Sequence, residues 1–77
     1  MDAGNAYYGV GAYAEAAPFY KAVAGKGGAA ANEANLRLGM ALARSGDKAG
    51  ATAALNAVTG SQAGIAKFWL VWLNSQG

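Results

Sequence analysis

Laid over itself with a shift of 35 residues, the sequence repeats its glycines: Gly4 falls on Gly39, Gly11 on Gly46 and Gly25 on Gly60, with Val23 on Val58 between them. Alanines follow the same shift at Ala6 and Ala41, Ala14 and Ala49, Ala16 and Ala51, and Ala22 and Ala57. In a chain so rich in alanine those matches weigh little. The glycines weigh more, because each stands where a helical hairpin needs a tight turn, a close approach or a stop. A repeat of this length is one supersecondary unit built twice, with neighbouring copies burying each other's faces.

Each unit reads as two helices. Ala and Leu fill "AAANEANLRLGMALAR", the "SGD" at 45 to 47 breaks it, and Asp47 is placed to cap the next helix, "KAGATAALNAV", which Gly60 is expected to end. Gly11 and Gly25 bracket "AYAEAAPFYKAVA" in the same way, and "GKGGAA" at 25 to 30 reads as a flexible connector. Pro18 falls inside a helix, where proline costs about 3 kcal/mol, and a mild bend is expected there. Strand signals are nearly absent, since the few β-branched residues never alternate. The same shift lays Ala31 on Ala66 and Leu38 on Leu73, so the stretch after Gly60 opens a third unit. The predicted fold is all-α, a single domain of antiparallel helical hairpins with about five helices: unit one over 1–27, unit two over 29–60 and a closing helix over 62–75.

The closing helix carries "FWLVWL", residues 68 to 73. Ile65, Phe68, Trp69, Trp72 and Leu73 share one face by their spacing, Leu70 and Val71 flank it, and Lys67 and Asn74 leave only a narrow polar strip. Such a helix calls for neighbours on more than one side. One side is expected to pack on the second helix of unit two, the other to lack a covering helix. A large exposed apolar patch marks association, so Phe68, Trp69, Val71 and Trp72 are candidates for homodimer contacts.

A chain of 77 residues builds one thin core, and the bulky groups for it are few. Tyr7, Tyr13, Phe19 and Tyr20 are expected in that core between helices. With no cysteine and no histidine, the chain has no disulfide framework, thiol nucleophile, imidazole base or zinc-type spacing, and no metal or cofactor is expected. The carboxylates Asp2, Glu15, Glu33 and Asp47 form no close pair on one helix face, so the means for proton transfer are scarce and a non-catalytic role is expected. "GVGAYA" at 9 to 14 imitates a dinucleotide fingerprint without a preceding strand, and "AGKGG" at 24 to 28 lacks the spacing and hydroxyl of a P-loop. The net charge of +2 comes from scattered Lys and Arg, a poor nucleic-acid footprint. The first residues lack a secretory pattern, the longest apolar run is far short of the about 20 residues of a span, and Lys67 is the only cation near the tryptophans, so membrane attachment is not favoured.

The run "G-N-A-Y-Y-x-x-G-x-Y-x-E-A" from Gly4 to Ala16 with "F-Y-K-A-V" at 19 to 23, and "L-G-M-A-L-A-R-S-G-D" from Leu38 to Asp47 with Ala51, Leu55 and Val58, resembles tetratricopeptide repeats. The resemblance covers about residues 1 to 75. It implies hairpins stacked as a right-handed α-solenoid, with Gly4, Ala16, Gly39 and Ala51 as the small residues that let helices approach. The chain departs from the pattern in a short first helix, in "GKGG" and "GSQAG" where a proline is usual, and in a third unit with only its opening helix.

The resemblance also implies a concave groove lined by the opening helices, with Asn5 and Tyr8 from unit one and Glu33, Leu36, Arg37, Met40 and Arg44 from unit two facing it. Asn5 stands where chaperone-binding members hold an asparagine that grips a peptide carboxylate, but Met40 and Met1 replace two other parts of that clamp. Read one at a time, Asn5 and Arg37 are solvated surface groups. Arg37 and Arg44, seven apart on one helical face, are placed to pair with an acidic peptide. The expected function is a non-catalytic interaction module that binds a peptide or helix of a partner protein; the alternative is self-association through the closing helix.

Overall fold

The computed structural model describes residues 2–76. Five α-helices follow one another, α1 (Asp2–Gly9), α2 (Tyr13–Lys26), α3 (Ala31–Ser45), α4 (Lys48–Asn56) and α5 (Ala63–Gln76), with a 3-10 turn at Gly60–Gln62 and no strand among the described residues. α1 and α2 form one helical hairpin, α3 and α4 a second, and α5 packs on α4 and α3. The molecule is a slab of 30 × 28 × 17 Å, whose short dimension holds two helices of about 10 Å diameter.

The repeat in the sequence is reproduced in the backbone. At the first turn the Gly11 N–H donates to Tyr8 O and the Ala12 N–H to Tyr7 O; at the second, Gly46 donates to Ala43 O and Asp47 to Leu42 O. Every partner in the second turn is the first plus 35 residues. Both are Schellman closures, which need a left-handed residue after the helix, and Gly11 (φ 82°) and Gly46 (φ 95°) supply it. The close approaches repeat as well. A Cβ on Gly4 would stand 2.8 Å from the Tyr20 ring, and one on Gly39 would stand 2.5 Å from Leu55 Cγ. Tyr20 and Leu55 are again 35 apart, and both are almost wholly buried.

The core lies on both sides of α3 in two clusters. One joins Ala16, Ala17 and Tyr20 of α2 to Leu38 and Ala41; the other joins Leu36 to Leu55, Val58, Ala66 and Leu73, and Leu42 touches both. No polar side chain is buried among the described residues. Asp47 caps α4 as expected, its carboxylate accepting the Gly50 N–H at 2.9 Å.

Several expectations are corrected. α2 extends past Gly25 to Lys26, so the connector shrinks to residues 27–30. α4 stops at Asn56, short of Gly60, because Thr59 is extended (φ −125°, ψ 178°) and bonded to Asn32. Tyr7 and Phe19 are not core residues; they stack on each other at 5.4 Å and remain about two-fifths exposed. Only Tyr20 of the four aromatic core candidates is fully buried.

Candidate functional site

α1 and α3 bring most of the expected groove residues to one face, and they bond to one another. The Tyr20 hydroxyl donates to Asn5 Oδ1 at 2.6 Å and Arg37 Nη1 donates to the same oxygen at 3.2 Å. Arg37 Nη2 pairs with Glu33 at 3.4 Å, one helical turn earlier. At the other end, Arg44 donates to the Tyr8 hydroxyl and stands 5.1 Å from the centre of the Tyr13 ring, which meets Tyr8 edge-on. Burial raises the Tyr20 phenol above its ordinary value of 10.0, and the neighbouring Arg37 charge partly opposes this. The bond to the Tyr8 hydroxyl holds the Arg44 guanidinium above its own ordinary value.

Asn5 and Arg37 are thus parts of a bonded network that ties α1 to α3, rather than free solvated groups. Met40 is half-buried against the core. Leu36 is corrected: it is 6% exposed and sits in the cluster with Leu55 and Leu73. The physical reason is angular. Glu33, Arg37, Met40 and Arg44 follow one face at i, i+4, i+7 and i+11, whereas Leu36 is turned aside toward α4 and α5. Met1, where the resemblance asked for a basic side chain, lies outside the described residues. No three carboxylates gather where they could hold a metal ion among the described residues.

An open trough of about 790 Å³ lies instead on the opposite side of α3. Its floor is Asn35, Leu38 and Leu42, about half a turn around the helix from the Arg37 face. One wall is α2, with Ala14, Ala17, Pro18, Lys21, Ala24 and Gly25; the other is α4 with its two caps, Asp47, Gly50, Ala53, Ala54 and Ala57. The walls stand apart because each second helix packs on α3 rather than on the other. None of the residues expected in the concave groove lines it. A partial signal for it was present in the sequence: Gly50, Ala53, Ala54 and Ala57 recur at i, i+3, i+4 and i+7 along α4 and its cap, while the matching face of α2 reads Ala14, Ala17, Pro18, Lys21 and Ala24. Stripes of this kind look like tight helix contacts, and only the packing reveals that these two face an open space.

The apolar residues of α5 divide into two faces. Ala66, Trp69, Leu70 and Leu73 turn to the core, while Ile65, Phe68, Val71 and Trp72 are 50%, 70%, 67% and 38% exposed. The single face expected for Ile65, Phe68, Trp69, Trp72 and Leu73 is corrected accordingly: Trp69 and Leu73 belong to the inner side. The two indoles meet edge-on at 5.5 Å, linking the inner face to the outer. Asn32, which the sequence did not single out, accepts from the Thr59 N–H and donates its amide to Thr59 O, tying the α4–α5 link to the start of α3. No family model, curated protein or solved structure matches the chain.

Proposed function

We propose that this protein is a non-catalytic interaction module, a short helical-repeat stack of the tetratricopeptide kind, that receives an amphipathic helix of a partner protein in the trough between α2 and α4. The trough carries this reading: it is open, about 790 Å³ in volume, and lined mostly by alanine with Leu38 and Leu42, with Lys21 on one wall and Asp47 on the other. The small residues along both walls let the larger aliphatic side chains of a partner helix approach Leu42, the part-exposed leucine of the floor. Lys21 and Asp47 lie on opposite walls, so they favour a partner helix with a carboxylate on one flank of its apolar stripe and a cation on the other. The matching turns and close approaches, 35 residues apart, support the repeat-stack reading.

The partner's place differs from the one implied by the family resemblance. On the α1–α3 face Asn5 Oδ1 already accepts from Tyr20 and Arg37, and Arg37 is paired with Glu33, although its Nε has no partner among the described residues, so a ligand that takes these groups displaces existing bonds. The test is selection from a displayed library of amphipathic helical peptides, followed by amide shift mapping. Perturbations at Ala17, Lys21, Leu38 and Ala54, with at least tenfold weaker binding in Ala53→Arg, are expected. Perturbations confined to Tyr8, Arg37 and Arg44 would move the site to the other face, and binding unaffected by Ala53→Arg would remove the trough from the account.

A further inference from the structure

We infer that the outer face of α5 is an interface between two copies of this chain, paired antiparallel about a twofold axis near residue 70. At 100° per residue, Val71, Phe68, Trp72 and Ile65 cover an arc of about 120°, which is the width of a stripe that an ordinary helix buries against a core. This stripe is additional to the one already buried through Ala66, Trp69, Leu70 and Leu73. Helix α5 therefore has two complete apolar faces and one of them has no partner among the described residues.

A second copy fits that face in shape, area and charge. An antiparallel pair centred near residue 70 sets Phe68 of each copy beside Trp72 of the other, with Val71 at the centre, so one stripe is its own complement. From their exposures, the four side chains offer roughly 400 Å² per copy, and neighbouring backbone with the Lys67 stem brings the pair to about 1,000–1,200 Å² in total. That is the lower edge of specific interfaces, so the dimer is weak and depends on concentration, with dissociation in the micromolar range. The antiparallel sense follows from charge. α5 has no basic residue in its last turn to oppose its terminal carbonyls, and Lys67, beside the stripe near its start, reaches the last turn of the other copy. In a parallel pair the two Lys67 side chains would lie on opposite edges of the contact, level with each other, and neither would meet a helix C-terminus. This inference uses a surface separate from the trough and stands whether or not the trough takes a partner helix.

The test is sedimentation velocity of the whole chain across the micromolar range, beside Phe68→Glu and Val71→Glu, two changes at exposed positions whose fold is checked by circular dichroism. The wild type should pass from monomer to dimer with rising concentration, and both variants should associate at least tenfold more weakly. The chain has no native cysteine, so orientation is read by oxidation: Val71→Cys should cross-link two copies and Ile65→Cys should not. A wild type that stays monomeric, or dimers unaffected by Phe68→Glu and Val71→Glu, overturns the interface. Equal cross-linking of the two cysteine variants overturns the antiparallel sense. A monomer that instead sediments with anionic vesicles, and loses this in Phe68→Glu, assigns the face to a membrane surface.

Discussion

Gly39, in the middle of α3, and Gly25, in the last turn of α2, are both helical and have opposite needs. A Cβ on Gly39 would collide with Leu55, whose side chain is fully buried, whereas nothing lies within 4 Å of one on Gly25. Gly39→Ala should therefore lose about 1–3 kcal/mol through overpacking, and Gly25→Ala should gain about 0.5–1 kcal/mol from helix propensity. Urea denaturation of the two variants checks this, and similar shifts in midpoint would show that the α3–α4 approach is looser than described. Tyr20 adds a pH dependence. Its phenol is raised above 10.0 in the folded chain, chiefly by burial, so the unfolded chain ionises first. Below pH 10 both states hold the proton and the stability is complete; as pH rises past that value the unfolded state gains and stability falls. Tyr20→Phe should remove this part of the alkaline loss while costing about 1 kcal/mol at neutral pH for the bond to Asn5. The check is a denaturation series from about pH 7 to about pH 11, which spans the ordinary tyrosine range; parallel curves for the two proteins would contradict the assignment.

Some helix ends are set by neighbouring residues, and the end of α4 is not. The two turns that close α1 and α3 follow from Gly11 and Gly46, and the start of α4 follows from Asp47. The end of α4 is set from elsewhere in the chain: Asn32 holds the extended Thr59 by its N–H and its carbonyl, 27 residues away in sequence. A helix that local propensity would have carried to Gly60 is stopped by a tertiary bond. Asn32→Ala should lower stability by about 0.5–1.5 kcal/mol and loosen α5, seen as a change in the near-ultraviolet dichroism of Trp69 and Trp72. Unchanged stability and dichroism would mean that Val58 and Thr59 end α4 unaided. The same contrast applies to α5, whose existence was plain from its apolar run but whose inner face depends on which residues meet α4.

At the scale of the molecule, α3 is the divider. Its Arg37 side meets α1 in a bonded polar network, its Leu38 side floors the trough, and its Leu36 side enters the core shared with α4 and α5. The sequence by itself determined the helices, the two hairpins and the small residues at their closest approaches, because glycine spacing, capping and apolar period act over a few neighbours. It also determined that α5 has more apolar surface than one contact can cover. Tertiary structure decided which surfaces remain open. Asn5 and Arg37 look free until α1 and α3 are set side by side, Leu36 looks like a groove residue until its angle around α3 is known, and the alanine stripes of α2 and α4 look like a contact until both are seen to pack on α3 instead. Those outcomes depend on the relative placement of helices, which no local pattern carries.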